Sequence, residues 1–209
     1  MHCINTSLVQ GEEGNKVRIF IAEDEILIQE GYRAMLSGNN FEVVGTATDG
    51  LEAVEKVSKM YDRVDLLIVD INIPSIDGIE VIERINQLKK IPAIIVTGYC
   101  DDMLIKRAGK VGVYGYLQKP IDRYDLVSTI SIAMDRFSEF NRLKNETDVA
   151  KKALEERKLV EHAKGILMDK FEMKEKDAMR FLQKKSRDRN KKMVEIAKEI
   201  IRAEKMLNL

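Results

Sequence analysis

Short apolar runs alternate with longer amphipathic segments over the first two thirds of the chain. Five of these runs have the residue types of β-strands, and they lie at Val17–Ala22, Phe41–Thr46, Leu66–Asp70, Ala93–Thr97 and Tyr114–Leu117. The segments between them have helical spacing, at about Ile26–Ser37, Gly50–Met60, Gly78–Leu88, Asp101–Gly109 and from Asp122 onward. Strands and helices that alternate in this way predict a parallel sheet covered by helices.

This order of elements predicts an α/β fold of the flavodoxin-like type, a (βα)5 unit with a doubly wound sheet. In such sheets ligands bind beyond the carboxyl ends of the strands, so functional residues are expected at that edge. We assign residues 16–137 to this domain. Residues 1–15 are polar, and we expect them to be a disordered leader.

The chain changes character after Pro120, since neither glycine nor proline recurs before Gly165. One long helix is therefore predicted from Asp122. Its early apolar positions have the spacing of a coiled-coil seam, and they are Leu126, Ile130, Ala133, Phe137 and Phe140. Up to about Phe137 this stripe fits packing on the chain's own sheet equally well, and beyond it a partner helix is favoured. Residues 138–153 are predicted to be a helical linker of coiled-coil type.

Residues 154–209 predict a small all-α bundle of three helices. The apolar positions of the three helices are Leu154, Val160, Ala163, Leu167 and Phe171, then Ala178, Phe181 and Leu182, and then Val194, Ala197, Ile201 and Met206. Asn190 is expected to cap the third helix. Because a bundle of this size has a marginal core, we expect it to lean on the long helix or on a second copy of the chain.

Charge separates the two parts of the chain, although 35 basic and 35 acidic residues balance overall. Residues 1–149 carry a net charge of −7 and residues 150–209 carry +7. The basic tail is a candidate for binding nucleic acid. No membrane span or secretion signal is visible, so a cytoplasmic protein is expected. With two cysteines and two histidines the chain cannot form a disulfide framework, and its composition argues against histidine-based catalysis or metal binding.

Three acidic residues fall at the carboxyl ends of predicted strands. Glu23 and Asp24 follow the first strand, and Asp70 ends the third. Neighbouring strand ends lie about 5 Å apart, so the three carboxylates would converge. A shared divalent cation such as Mg²⁺ or a raised pKa on one acid would relieve their repulsion. The alternative is three loop acids with no joint role.

Two further strand ends favour a joint role. Thr97 closes the fourth strand with a hydroxyl, and Lys119 follows the fifth with an ammonium group. An oxygen nucleophile, a cation site and donors for phosphoryl oxygens are the groups that phosphoryl transfer requires. The sequence thus predicts phosphoryl transfer at Asp70.

These motifs closely resemble the receiver domain of two-component response regulators. The matching segments are residues 21–25, residues 70–78, Thr97 with Gly98, and residues 116–120. The resemblance implies that Asp70 is the phosphoacceptor and that Glu23, Asp24, Asp70 and the backbone carbonyl of Asn72 hold Mg²⁺. It also implies that Thr97 and Lys119 contact the phosphoryl oxygens and that the Lys119–Pro120 bond is cis.

Tyr116 has two interpretations. Aromatic residues in strands are usually part of the core. The receiver family, however, places a switch aromatic three residues before the lysine, and Tyr116 has this position. We favour the switch, in which Thr97 moves towards the phosphate and Tyr116 turns inward.

The segment from Ala153 to Met168 resembles the start of an ANTAR domain, a three-helix RNA-binding module. Lys174 departs from the family pattern, which has a Ser or Thr cap at this point. The candidate RNA-binding residues are Arg157, Lys158, Lys164, Gly165, Arg180, Lys184, Lys185, Arg187, Arg189, Lys191 and Lys192. Many of these cations could equally be solvated surface charges. Gly165 lies within a helix, where a close neighbouring helix, an RNA backbone or a simple kink would explain it.

Together the two resemblances imply a phosphorylation-controlled antiterminator, most like those of ethanolamine utilisation. A sensor histidine kinase would phosphorylate Asp70, two copies would pair as a homodimer, and the tails would bind RNA hairpins in mRNA leaders. Such a protein is not an enzyme beyond its own phosphorylation and dephosphorylation. Alternatives are a DNA-binding or protein-binding output, and an aspartate-dependent phosphatase. Asn72 disfavours the phosphatase, because an acid normally stands two residues after the nucleophile.

Overall fold

The computed structural model describes residues 16–38, 40–98, 109 and 111–207. The chain divides into two compact units at Phe140 and Asn141. The predicted leader 1–15 and most of the predicted helix Asp101–Gly109 lie outside the described residues.

The first unit contains a five-stranded parallel sheet with the order β2-β1-β3-β4-β5. The strands are β1 (Val17–Ala22), β2 (Phe41–Ala47), β3 (Leu66–Asp70), β4 (Ala93–Thr97) and β5 (Val113–Gln118). All residues of β3 and β4 are buried, as their continuous apolar sequence predicts. The flavodoxin-like architecture is thereby confirmed.

In the part of the chain that the structure describes, three helices connect strands: α1 (Ile26–Leu36), α2 (Gly50–Met60) and α3 (Gly78–Leu88), with a 3₁₀ turn at Tyr61–Arg63. Aspartates cap two of them, since the Asp49 side chain accepts from the backbone N–H groups of Leu51 and Glu52 and Asp77 accepts from that of Glu80. Successive strand residues face opposite sides of the sheet, so Phe20 and Ile21 belong to different core layers.

The long helix α4 spans Arg123–Phe171. Its side chains at Leu126, Ile130 and Ala133 are fully buried in the core layer that contains Ile21. The first part of the apolar stripe therefore packs on the chain's own sheet. The Phe137 and Phe140 rings both lie edge-to-face to Tyr114, at 5.4 and 6.5 Å between ring centroids, and Phe140 is 53% exposed.

The second unit is a helical bundle built from the end of α4, α5 (Glu175–Asp188) and α6 (Met193–Leu207). Its buried core consists of Val160, Ala163, Ile166, Leu167, Ala178, Leu182, Ile196, Ala197 and Ile201. The predicted core positions Leu154, Phe171 and Met206 are wrong, because all three are exposed. The packed stretch of α4 begins only at Leu159 and Val160, and Phe171 and Met206 lie at or near helix ends.

The segment between α5 and α6 also differs from the prediction. Asn190 does not cap α6, which begins three residues later at Met193. Instead Asn190 has a φ of 51° and its N–H donates to the Arg187 carbonyl at 3.2 Å, so it terminates α5. Asparagine tolerates this left-handed conformation and also suits the start of a helix, so its residue type does not distinguish the end of α5 from the start of α6.

None of the described helices is both long and apolar enough to cross a lipid bilayer.

Candidate metal and phosphoacceptor site

An acidic pocket forms at the carboxyl edge of the sheet, where β1 and β3 are neighbours. Glu23 and Asp24 follow β1, and Asp70 is the last residue of β3. One carboxylate oxygen from each of the three lies within 4.8 Å of the others. Glu23 and Asp70 are buried, and Asp24 is exposed at the opening. The predicted convergence of Glu23, Asp24 and Asp70, the acidic pocket from here on, is therefore present.

Lys119 provides a cation to this pocket. Its Nζ lies 2.5 Å from Asp70 Oδ2 and 3.0 Å from Glu23 Oε1. The Lys119 N–H donates to the Thr97 carbonyl at 2.8 Å, which fixes the segment after β5 beside the end of β4. The Lys119–Pro120 bond is cis, as predicted. Among the described residues this ammonium group pairs with two of the three carboxylates, so the acids of the pocket outnumber the cation that pairs with them.

Burial and charge pull the ionisation equilibria of the pocket in opposite directions. Burial raises the pKa of Glu23, and the hydrogen bond from Lys119 only partly offsets this. Burial alone would lower the pKa of Lys119, but hydrogen bonds with Asp70 and Glu23 outweigh it and raise the pKa. The ammonium form of Lys119 is therefore favoured, and the raised pKa of Glu23 reflects a charge that lacks full compensation.

The side chains fit a hard divalent cation. Glu23 Oε2 is buried and has no hydrogen-bond partner among the described residues, although it lies 2.8 Å from Lys119 Nζ. Its neighbours are carboxylate oxygens, which are the ligands that Mg²⁺ prefers. Asn72 is exposed beside the pocket, and its N–H donates to Asp70 Oδ1 at 3.0 Å. The carboxylates of Glu23, Asp24 and Asp70 are thus close enough to bind one cation together, and the backbone of Asn72 adjoins them through Asp70.

Thr97 lies on β4, the strand next to β3 and Asp70, whereas Tyr116 lies on β5, one strand further from the pocket. Thr97 is the buried last residue of β4, one position beyond Val96, which pairs with Asp70 in the sheet. Tyr116 in β5 is half-buried and packs against the core layer of Phe20. Thr97 therefore lies at the carboxyl edge of the sheet, as the acidic pocket does, and the switch role of Thr97 and Tyr116 stays a prediction.

Two supporting residues were missed by the sequence analysis. The buried Gln29 amide donates to the Glu23 carbonyl at 2.6 Å and to the Ala47 carbonyl at 3.3 Å, so α1 fixes the ends of β1 and β2. Gly78 opens α3 so close to the pocket that an added Cβ would lie 2.1 Å from the Asp70 carbonyl oxygen. The signal for Gln29 was available, because it shares the inward face of α1 with Tyr32 and Leu36.

Most predicted RNA-binding cations of the tail are at the surface. The exposed residues among them are Arg157, Lys158, Arg180, Lys184, Arg187, Arg189, Lys191 and Lys192. Lys185 is half-buried, and its Nζ lies 5.5 Å from the Phe181 ring centroid. Lys164 is different, since its side chain is only 14% exposed and its Nζ lies 2.5 Å from Glu161 and 2.8 Å from Glu175. Arg189 and Lys191 both pair with Glu199 at 2.6 Å.

Gly165 lies within the helical part of α4 that enters the bundle. No described atom outside its own helix turn lies within 4 Å of the position that a Cβ would take. Close approach of a neighbouring helix, one of the three explanations offered for Gly165, is therefore absent among the described residues, and an RNA backbone or a simple kink stay as explanations.

The parallel five-stranded sheet and the acidic pocket with its lysine define the receiver class of α/β domains. A family model of the response regulator receiver domain matches residues 19–131, and a model of the ANTAR domain matches residues 148–201. The chain belongs to the response regulators and joins a receiver domain to an ANTAR domain.

Similar proteins agree with this assignment. The transcriptional regulatory protein PdtaR of Mycobacterium tuberculosis is 38% identical over 184 residues, which is 88% of this chain and 89% of that protein. The chemotaxis protein CheY of Treponema pallidum is 30% identical over 131 residues, or 61% of this chain and 91% of that protein. Among solved structures, the CheX–CheY–BeF₃–Mg²⁺ complex of Borrelia burgdorferi matches with a TM-score of 0.54 and 25% identity, covering 56% of this chain and 88% of that one.

Proposed function

We propose that this response regulator is phosphorylated on Asp70 by a sensor histidine kinase in the cytoplasm and then binds RNA hairpins in mRNA leaders to promote antitermination. The observation that carries the proposal is the Asp70 carboxylate held by Lys119 inside an acidic pocket, in a chain that ends with an ANTAR domain. We propose no further enzymatic activity, since the aspartyl phosphate would be the protein's own modification.

The reaction at Asp70 is a phosphoryl transfer between two side chains. A carboxylate oxygen of Asp70 attacks phosphorus, the new O–P bond forms, and the P–N bond of the kinase phosphohistidine breaks. The leaving imidazole keeps the electron pair of the P–N bond and takes up a proton. Lys119 already contacts Asp70 Oδ2 and is placed to neutralise phosphoryl charge.

Mg²⁺ bound by Glu23, Asp24, Asp70 and the Asn72 carbonyl would neutralise phosphoryl oxygens during this transfer. The protein's own contribution is to hold these oxygens together in a buried pocket and to keep Lys119 protonated. Thr97 is proposed to contact the phosphoryl group through its hydroxyl and so to signal phosphorylation towards Tyr116.

RNA is the proposed ligand of the tail. A cavity of 460 Å³ is lined by Lys164, Glu175, Lys176, Met179, Arg180 and Gln183. A neighbouring cavity of 480 Å³ shares Met179 and includes Arg157 and Lys192. Cations at these openings can neutralise phosphates, and the Gln183 amide can hydrogen-bond to a base edge. Lys164 would have to leave Glu161 or Glu175 to contact RNA, so we expect its contribution to be smaller than that of Arg180.

Homodimerisation is proposed to bring two RNA-binding tails together. An exposed seam on α4 consists of Phe140, Leu143, Thr147, Ala150 and Leu154, at alternating spacings of three and four residues. Phe140, Leu143 and Leu154 are each at least half exposed.

Charged residues flank this seam. Glu139 and Glu146 lie on one side of it, and Lys144 and Lys151 lie on the other. In a parallel pair each glutamate would face the lysine five residues later on the second copy.

The test of this function uses acetyl phosphate with Mg²⁺ on the wild type and on Asp70→Ala. We expect the wild type to take up one phosphoryl group per chain, to double its mass in light scattering and to bind a two-hairpin RNA more tightly. The Asp70→Ala protein should do none of these. Duplex DNA serves as the competing ligand, and preference for the duplex would contradict the RNA proposal.

A further inference from the structure

The loop between β3 and α3 is fastened to the start of α2. The Ser75 hydroxyl donates a hydrogen bond to Asp49 Oδ2, and the Gly50 N–H donates to the Pro74 carbonyl at 3.1 Å. A Cβ on Gly50 would lie 2.7 Å from the Ile76 carbonyl oxygen, so the helix and the loop are in direct contact. These contacts link two segments that are 26 residues apart in sequence.

The backbone of this loop is held in an unfavourable conformation at Ser75. Its φ is 70°, and the Ile76 N–H donates to the Pro74 carbonyl at 2.9 Å. A three-residue turn with positive φ is strained, and serine has no glycine-like freedom to adopt it. Such a conformation persists only where surrounding contacts impose it. The hydrogen bond between Ser75 and Asp49 is one such contact.

The two carboxylate oxygens of Asp49 accept hydrogen bonds from different segments. Oδ1 caps α2 by accepting from Leu51 at 2.8 Å and from Glu52 at 3.2 Å, and Oδ2 accepts from Ser75. The hydrogen bond from Ser75 is the main reason that the pKa of Asp49 is lowered. The carboxylate is therefore ionised at neutral pH and available to both partners.

The fastened loop begins at the acidic pocket. Asn72, whose N–H bonds Asp70 Oδ1, lies three residues before Ser75. The far end of the loop is fixed by the Gly78 N–H, which donates to the Ile71 carbonyl at 3.0 Å. The loop thus has fixed ends, and Asp49 holds its middle against α2.

We propose that the hydrogen bond between Asp49 and Ser75 positions the loop that carries Asn72 and thereby raises the affinity of the acidic pocket for a divalent cation. Asp49 and Ser75 are positioning residues, since neither lies in the pocket. This role presupposes the proposed function, because it acts on the site where Asp70 is modified. A looser loop would place the Asn72 carbonyl less accurately and bind the cation more weakly.

The experiment is a titration of the full-length protein with Mn²⁺, followed by electron paramagnetic resonance, with Mg²⁺ as competitor. Ser75→Ala removes the hydroxyl, and Asp49→Ser removes the acceptor of Ser75 but keeps a side chain that caps helices well. We expect each to bind Mn²⁺ about threefold to tenfold more weakly, the fold-change that a single hydrogen bond supplies. The double variant should bind no more weakly than either single variant.

Two additional variants separate positioning from folding. Ser75→Gly accepts the positive φ without strain but lacks the hydroxyl, so it should fold well and still bind Mn²⁺ more weakly. Ser58→Ala removes another hydroxyl on α2, one that donates to the Glu55 carbonyl within the same helix, and should bind Mn²⁺ as the wild type does.

A second measurement is the rate at which acetyl phosphate labels Asp70. Ser75→Ala should be slower than the wild type at limiting Mg²⁺ and equal to it at saturating Mg²⁺. Wild-type affinity for Mn²⁺ in both Ser75→Gly and Asp49→Ser would overturn the positioning role and leave the proposed function intact. A wild type that neither binds Mn²⁺ nor becomes labelled would overturn the proposed function and this role with it.

Discussion

At the scale of single residues, the acidic pocket depends on neighbours that carry no charge. Gly78 allows the start of α3 to approach the backbone of Asp70, and Gln29 anchors the backbone after β1 through two carbonyls. Gly78 lies eight residues after Asp70, and Gln29 reaches carbonyls that are six and eighteen residues away in sequence. The acids and Lys119 could be predicted because strand ends must meet at one edge, and the helical spacing of Gln29 with Tyr32 and Leu36 was also readable. The close approach at Gly78 depends on packing that no local pattern encodes.

Gly78→Ala should destabilise the protein. The new Cβ would lie 2.1 Å from the Asp70 carbonyl oxygen, so backbone must shift, at a cost of about 1–3 kcal/mol. Urea unfolding should show this loss, and acetyl phosphate should label Asp70 more slowly. Gly31→Ala is the matched control, because no described atom beyond its own helix turn lies within 4 Å of the added methyl group in α1. It should stabilise the protein, and equal effects of both substitutions would contradict the packing role of Gly78.

At the scale of elements, strands were the most predictable part of the chain. Their apolar runs are bounded by polar residues, and the observed strands differ from the predicted ones by one residue at a few ends. Helix ends in the tail were less predictable. Asn190 suits both the end of one helix and the start of the next, and only the hydrogen bond to Arg187 distinguishes them.

A salt bridge fastens β1 to the residue that precedes β3. The Arg18 guanidinium donates to both oxygens of Asp65 at 2.9 and 2.8 Å, and the hydrogen bond with Arg18 is the main reason that the pKa of Asp65 is lowered. Because the pKa of Asp65 is lowered, the salt bridge stabilises the fold at pH values above the ordinary carboxyl pKa of about 4. This stabilisation is lost as the pH falls through the lower pKa that Asp65 has in the folded protein.

Asp65→Asn should therefore lower the free energy of unfolding at pH 7 by about 1 kcal/mol, because the pair is partly exposed and bidentate. Urea titrations over a pH series should show the difference from the wild type shrinking in acid. Glu55→Gln removes an exposed pair with Lys59 and should have no measurable effect. A difference for Asp65→Asn that grows as pH falls would contradict the assigned direction.

Gly165 offers a second prediction about an element. Gly165→Ala should stabilise α4 by about 1 kcal/mol, since no described atom beyond its own helix turn lies within 4 Å of the added methyl group. Thermal unfolding should show a higher midpoint. If RNA backbone approaches at this position, the first of the two explanations left for Gly165, affinity for a two-hairpin RNA should fall at the same time. A more stable variant with unchanged RNA affinity would remove Gly165 from the RNA interface.

At the scale of the whole molecule, the modular order was predictable because charge and periodicity both change along the chain. The interaction surface on α4 was only partly predictable. The stripe at Leu126, Ile130 and Ala133 has coiled-coil spacing, yet these side chains are buried in the sheet's own core. Spacing alone does not distinguish a partner helix from a sheet, and the exposed fraction of each side chain does.

The exposed seam predicts a dimer that charge substitutions can break and restore. Lys144→Glu combined with Lys151→Glu would place acids opposite Glu139 and Glu146 of the second copy, and should weaken the phosphorylated dimer on the order of tenfold. Adding Glu139→Lys and Glu146→Lys should restore it. Light scattering after treatment with acetyl phosphate measures both. Lys152→Glu lies outside the seam and is the control, and an equal effect there would contradict the parallel arrangement.

The helix α4 supplies buried side chains to two separate cores. Those of the sheet end at Ala133, and those of the bundle begin at Val160. A recombination breakpoint in the codons for residues 141–159 would therefore split no group of fully buried partners. Gene shuffling at such a breakpoint can exchange either half of the protein and leave the core of the other half intact. A long helix shared by two domains therefore allows new combinations of input and output domains to evolve.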